Sequence, residues 1–130
     1  FLRVKLKKLD YYNNERQKIA EKYLKGLKEC DLYLPNTSSH SKHVWHLFVI
    51  RTKKRDLLQN RLSERGIQTI LHYPIPPHLQ KAYVNNRLDK NFNLKLTVQL
   101  SQEIISLPLY PGLTEEQILF IINSVKKSLQ

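Results

Sequence analysis

Apolar residues near the N-terminus recur at intervals of three, four or seven positions between Leu2 and Leu27. This spacing predicts one apolar face of an α-helix, which would extend about 40 Å at 1.5 Å per residue. The face consists of Leu2, Leu6, Leu9, Tyr12, Ile19, Tyr23 and Leu27. Because the pattern starts at once and the sequence contains no methionine, we expect a fragment whose first helix leads to a further N-terminal domain. The alternative is the N-terminal helix of an independent domain.

The remaining sequence alternates between strand-like and helical patterns. Residues 44–50 form an apolar run typical of a strand buried on both faces, and residues 67–71 are mostly β-branched, which favours a second strand. Thr114 followed three positions later by Gln117 is a capping-box pattern that predicts the start of the last helix. The other predicted elements are a helix over 53–65 ending at Gly66, a helical turn over 79–83, an irregular asparagine-rich connection over 85–93, a helix over 94–102 and a strand over 104–107. This order predicts an α+β fold with a three-stranded sheet covered by helices.

Three prolines follow the second predicted strand, at positions 74, 76 and 77. Proline fixes φ, removes a backbone donor and disfavours helix in the preceding residue, so the segment should be extended and stiff. It carries His72, Tyr73 and His78, and side chains with little conformational freedom lose little entropy when a ligand binds. We therefore interpret this loop as the rim of a binding site. His46 is a further candidate, although a histidine in an apolar strand more often has a structural role.

The composition is that of one ordinary globular domain, with 130 residues of which 41% are hydrophobic. No apolar run approaches the roughly 20 residues that a membrane-spanning helix needs, and the N-terminus lacks the pattern of a signal sequence. The single cysteine, Cys30, leaves no intramolecular disulfide and fits a reducing compartment. We therefore expect a soluble protein of the cytoplasm.

The formal net charge of +11 arises from 22 basic and 11 acidic residues. Most basic residues lie outside the predicted apolar stripes, so solvated surfaces are the first interpretation. Steering of a small anionic substrate and nucleic-acid binding through phosphate contacts are the functional alternatives. Binding of single-stranded nucleic acid usually needs exposed aromatics among the basic residues, whereas most aromatics here lie in apolar runs. Nucleic acid is therefore the weaker alternative.

Histidines and serines are present without the arrangement that metal or nucleophile sites need. His40, His43 and His46 recur every third residue, but His43 and His46 would point to opposite faces of a strand, and no cysteine or carboxylate within the run completes a tetrahedral set. The serines considered as nucleophiles, Ser63, Ser101 and Ser106, have no histidine nearby in sequence and no glycine elbow. We therefore predict no metal site and no complete active site in this chain.

Four motifs that together cover nearly the whole chain resemble, in the same order, segments of the DegT-type sugar-nucleotide aminotransferases. This family consists of enzymes that depend on pyridoxal 5'-phosphate. The motifs are Leu2-Arg3-Val4-Lys5-Leu6 with Asn14 and Arg16, His43-x-x-His46-x-Phe48-Val49-Ile50-Arg51, His72-Tyr73-Pro74-x-Pro76-x-His78-x-Gln80-x-x-Tyr83, and Ser106-Leu107-Pro108-Leu109-Tyr110-Pro111-Gly112-Leu113-Thr114.

The resemblance implies that residues 1–30 are an interdomain helix and that residues 31–130 are the C-terminal small domain of a fold-type-I enzyme. In that family a lysine and a carboxylate of the large domain hold the cofactor. No catalytic or cofactor-binding residue is therefore expected in this chain, which alone should be inactive. The resemblance makes His72, Tyr73, His46 and His78 candidate substrate-binding residues at the cleft between the two domains.

The parent enzyme implied by the resemblance is a homodimer that aminates a keto-sugar nucleotide, with glutamate as the amino donor. Its product would serve amino-sugar or cell-surface polysaccharide biosynthesis. Two other classes stay open from the sequence: a stand-alone basic domain that binds nucleic acid, and a regulatory module descended from the enzyme.

Overall fold

The computed structural model describes residues 2–84 and 94–130, so the asparagine-rich connection predicted over residues 85–93 lies outside the described residues. The strand predicted over 104–107 and the helix predicted to start at Thr114 lie where the sequence placed them, and the helices predicted over 53–65 and 94–102 agree to within two residues. The helices are α1 (Leu2–Leu6), α2 (Leu9–Leu27), α3 (Arg55–Glu64), α4 (Lys81–Val84), α5 (Lys95–Glu103) and α6 (Glu115–Leu129), the strands are β1 (Phe48–Arg51) and β2 (Ile104–Leu107), and a 3₁₀ turn spans Pro77–Leu79.

The sheet is smaller than the sequence suggested. Strands β1 and β2 are antiparallel, with Phe48 opposite Leu107 and Arg51 opposite Ile104. The prediction of three strands is wrong, because the sheet in the described part of the chain has two. Residues 67–71 contribute only an isolated bridge, in which Ile70 pairs with Ser106.

A lack of free backbone donors on β2 explains why residues 67–71 form one bridge and not a third strand. The bridge itself is complete, since the Ser106 N–H donates to Ile70 O at 2.9 Å and the Ile70 N–H donates to Ser106 O at 3.3 Å. The next hydrogen-bonded positions along β2 would be residues 104 and 108. Pro108 has no N–H, and the Ile104 N–H donates to Leu100 O at the end of α5. The ladder therefore cannot extend in either direction.

Strand β1 also begins later than predicted, at Phe48 rather than Val44. Trp45 has a φ of 51°, which lies outside the strand region, and its N–H donates to Nδ1 of His43 at 2.9 Å. His43 and His46 therefore precede the strand and do not occupy its opposite faces, which corrects the geometric argument made from the sequence.

The core lies between the sheet and the helices α2, α3 and α6, and α6 packs against both other helices. Tyr23 is fully buried, and its hydroxyl donates to Pro108 O at 2.8 Å. Burial raises the pKa of this phenol. The buried apolar side chains are Ile19, Ala20, Tyr23, Leu27, Trp45, Phe48, Ile50, Leu58, Leu62, Ile67, Ile105, Leu107, Ile118, Ile121, Ile122 and Val125.

The long N-terminal helix of the prediction is interrupted at residues 7–8, which form a turn between α1 and α2. The apolar face is buried only in its second half, from Ile19 to Leu27. In the first half, Leu2 and Leu6 are 78% and 68% exposed. The described residues therefore leave the apolar face of α1 uncovered.

No helix among residues 2–84 and 94–130 is long and apolar enough to cross a membrane.

Gly66 ends α3 and directs the chain into the Ile70 bridge. Its φ is +75°, a conformation that costs glycine little. The Ile67 N–H donates to Leu62 O and the Gly66 N–H donates to Ser63 O, each at 2.9 Å. These two bonds form a Schellman motif, which sets the direction of residues 67–72 relative to α3.

Candidate functional site

A groove of about 830 Å³ runs beside the Ile70 bridge. Its walls come from residues 46–47, α3, residues 66–72, residues 106–113 and α6. The lining combines apolar side chains with neutral polar ones, among them His46, Gln59, Gln68, His72, Tyr110 and Gln117. Phe120 and Ile70 are 50% and 60% exposed. Such a surface can bind a ligand that has apolar faces and several hydrogen-bonding oxygens.

His72, one of the candidate residues from the sequence, lines this groove. Its Nδ1 is 2.9 Å from Oγ of Ser106. Ser106 is buried in β2, and its backbone bonds hold it beside Ile70. The imidazole is therefore held by the same bridge that ends the sheet.

Tyr73 and His78 are not among the described residues that line the groove. The Tyr73 side chain is 72% exposed, and its ring meets the His72 ring edge-on, with centroids 5.7 Å apart. The peptide bond between these two residues is cis. His78 is half-buried in the 3₁₀ turn that begins at Pro77. The Tyr73 ring thus contacts the His72 ring, whereas His78 lies in the 3₁₀ turn that follows in sequence.

The three histidines that precede β1 line two different cavities. His46 lines the groove together with His72. His40 and His43 line a second, polar pocket of about 640 Å³ beside α2. There the His43 ring stacks on Trp45 with centroids 4.1 Å apart. Among residues 2–84 and 94–130, no group of three or more potential ligands is arranged to hold a metal ion.

Arg51, the last residue of the second motif, is engaged within the fold. Its Nε lies 3.2 Å from Oε2 of Glu103. Its guanidinium carbon lies 3.8 Å from the centroid of the Tyr33 ring. The Glu103 side chain is only 11% exposed, so this ion pair links the end of β1 to the end of α5 and has a structural role.

The groove does not fit pyridoxal 5'-phosphate. That cofactor needs a lysine for the imine and a carboxylate for the pyridinium nitrogen. Among the described residues that line the groove there is no lysine, aspartate or glutamate. The cofactor implied by the sequence resemblance therefore belongs outside this groove, and His72 and its neighbours are suited to binding a substrate.

Ser106 is the site residue that sequence reasoning missed. It was dismissed as a nucleophile because no histidine lies near it in sequence, whereas the fold brings it to His72 across 34 residues. The signal available was a lone hydroxyl in the apolar strand Ile104–Leu107. Its burial and its contact with Nδ1 support a hydrogen-bonding role, since the proximity of a histidine alone does not create a nucleophile.

Comparison with known proteins assigns residues 1–126 to the model of the DegT/DnrJ/EryC1/StrS aminotransferase family. The dTDP-3-amino-3,6-dideoxy-alpha-D-galactopyranose transaminase of Aneurinibacillus thermoaerophilus is 39% identical over 126 residues, which cover 97% of this chain and 34% of that protein. The UDP-N-acetyl-3-dehydro-alpha-D-glucosamine 3-aminotransferase of Acidithiobacillus ferrooxidans is 33% identical over 128 residues, covering 98% of this chain and 34% of that protein.

A solved structure gives the same result for the fold. The crystal structure of S. venezuelae DesV in complex with a ketimine intermediate superimposes with a TM-score of 0.93 and 37% identity. The match covers 99% of this chain and 35% of that one. The chain thus spans about a third of the length of the relatives it matches.

Proposed function

The chain belongs to the DegT/DnrJ/EryC1/StrS aminotransferase family, and from this membership we propose that it is the C-terminal part of an enzyme that transfers an amino group to a keto-sugar nucleotide. The family match over residues 1–126 carries the proposal. Glutamate is the amino donor, and pyridoxal 5'-phosphate is the cofactor, held by a large domain outside these 130 residues. The parent enzyme works as a homodimer in amino-sugar or cell-surface polysaccharide biosynthesis.

In this proposal, residues 1–30 link the large domain to a small domain of residues 31–130. The uncovered apolar side chains at the start of the chain support it, because Leu2, Leu6 and Leu9 are exposed here and a contiguous apolar surface typically marks a contact with another part of a protein. The lengths of the relatives, about three times that of this chain, leave room for the large domain.

The groove binds the sugar end of the substrate. The described residues that line it carry no formal charge apart from what its two histidines can acquire, so it suits an uncharged sugar better than a diphosphate, which needs cationic or backbone donors. His72 and His46 contact the sugar from the groove, while Tyr73 and His78 approach it from the proline loop. The names of both relatives place the amino group at carbon 3, and we assign the same carbon to the substrate ketone.

Kinetics on the intact protein test this function. With pyridoxal 5'-phosphate, L-glutamate and a nucleotide-linked 3-keto-6-deoxyhexose, the product should be the 3-amino sugar. His72→Ala should raise KM for the sugar nucleotide roughly 10-fold, as expected for the loss of about 1.4 kcal/mol of hydrogen bonding. KM for glutamate should change less, because the groove is assigned here to the sugar.

His40→Ala is the matched control. His40 is an exposed histidine that lines the second pocket and not the groove, so its loss should leave both KM values unchanged. An intact protein that forms no amino sugar from any nucleotide keto-sugar contradicts the proposed activity. An active enzyme whose KM values are insensitive to His72 contradicts the role given to the groove.

A further inference from the structure

The contact between Ser106 and His72 determines which ring nitrogen carries the proton. Ser106 is 5% exposed, and a buried hydroxyl needs an acceptor for its hydrogen. Within the described residues, the hydrogen-bond partner of its Oγ is Nδ1 of His72, at 2.9 Å. The backbone N–H and C=O of Ser106 are both bonded to Ile70, so the strand holds the hydroxyl in place. An Nδ1 that accepts from this hydroxyl satisfies the buried O–H, whereas a protonated Nδ1 would leave the hydroxyl hydrogen without an acceptor among the described residues.

We propose that Ser106 is a positioning residue that holds neutral His72 in the tautomer protonated at Nε2. Because Nδ1 is occupied by Ser106 and His72 lines the groove, the Nε2–H is then the ring donor that can bind a ligand there. The matching ligand atom is an acceptor oxygen, such as a hydroxyl, ring or carbonyl oxygen of the sugar. In this arrangement neutral His72 is a donor that orients the substrate, and it is not a base.

The tautomer itself is open to a direct spectroscopic test. In intact protein labelled with ¹⁵N-histidine, the His72 resonances are identified by their loss in His72→Gln. At a pH of about 8, where histidine is mostly neutral, Nδ1 should show a pyridine-like shift and Nε2 a pyrrole-like shift. In Ser106→Ala the two shifts should move toward each other as both tautomers become populated. A pyrrole-like Nδ1 in the unmodified protein would overturn the proposal.

Kinetics test whether the orientation matters for substrate binding, and this part rests on the proposed function. Ser106→Ala should raise KM for the sugar nucleotide roughly 3- to 10-fold, the range expected when one neutral hydrogen bond is lost. Ser106→Thr retains the hydroxyl and should recover KM to within about 2-fold, since the same donor remains available. If Ser106→Thr binds as poorly as Ser106→Ala while remaining folded, the hydroxyl is not the positioning group.

Ser101→Ala is the matched control for loss of a buried serine. Ser101 is 7% exposed, and its Oγ donates to Val98 O at 2.7 Å, within α5 and away from the groove lining. This variant should leave both the His72 shifts and KM unchanged. The two lines of measurement separate the hypotheses, because the ¹⁵N shifts report the tautomer even if the intact protein aminates no sugar.

Discussion

Gly26 lies in α2 where this helix packs against Ile122 of α6. A Cβ atom added there would lie 2.7 Å from Cδ1 and 3.0 Å from Cγ2 of Ile122. Ile122 is β-branched and only 5% exposed, so it cannot swing into solvent to make room. Gly26→Ala is therefore expected to lower the free energy of unfolding, although glycine is a poor helix former.

Two opposing contributions set the size of this effect. Replacing glycine by alanine within a helix favours folding by about 1 kcal/mol. Forcing one extra carbon into a packed core costs about 1–3 kcal/mol. The net change is a loss of about 0–2 kcal/mol, equivalent to a fall in Tm of up to about 8 °C at a sensitivity of about 4 °C per kcal/mol.

Urea unfolding of a double-mutant cycle isolates the clash from the change in helix propensity. Ile122→Ala removes all three side-chain atoms near the new Cβ and is itself destabilising, by about 2–5 kcal/mol. In that background Gly26→Ala should become stabilising by about 1 kcal/mol. If Gly26→Ala stabilises the unaltered protein by that amount, or has the same effect in both backgrounds, the close packing of α2 on α6 is refuted.

Three other substitutions test local features of the fold. Thr114→Ala should reduce the free energy of unfolding by about 1 kcal/mol, because the Thr114 side chain accepts the Gln117 N–H in the capping box. Thr114→Ser should reduce the free energy of unfolding much less, as measured by urea titration of both variants. Gly66→Ala should cost about 1–2 kcal/mol through its positive φ alone, since nothing lies within 4 Å of the added carbon, and Gly66→Asn should cost less by thermal unfolding. Burial raises the pKa of the Cys30 thiol, so the unfolded state ionises first and stability should fall as pH rises above about 8.5. Comparison of the pH slopes of the unaltered protein and Cys30→Ala checks this, and equal slopes would refute it.

The elements that could be predicted from the sequence are those specified by neighbouring residues. The capping box at Thr114, the stop at Gly66 and the apolar stripe of α6 depend on interactions within a turn or two of helix. Strand Ile104–Leu107 was identified in the same way from a short apolar run. Local patterning determined the type and place of these elements because no distant contact opposes it.

The features that were missed depend on contacts between distant parts of the chain. Apolar, β-branched residues at 67–71 favoured a full strand, but its partner β2 offers no free donor at Ile104 or Pro108. The start of β1 was misplaced because Trp45 adopts a positive φ that an apolar run does not reveal.

In the candidate site, too, one feature follows from neighbouring residues and another from a contact between distant parts of the chain. The proline loop made His72 a candidate from the sequence, since a rigid loop after an apolar, β-branched run is a local signal. Its partner Ser106 is 34 residues away, and only the pairing of Ile70 with Ser106 brings the two together. All four candidates stay predictions as substrate contacts, and the described groove lining includes His72 and His46 but neither Tyr73 nor His78.

Borohydride reduction of the intact protein, followed by peptide mass mapping, tests most directly whether this chain is the C-terminal part of a pyridoxal-phosphate aminotransferase. Reduction fixes the imine between cofactor and lysine as a stable phosphopyridoxyl-lysine. We predict one labelled lysine, and it should lie outside the 130 residues of this chain. Absence of any labelled lysine, or a label on a lysine within these residues, would contradict this account.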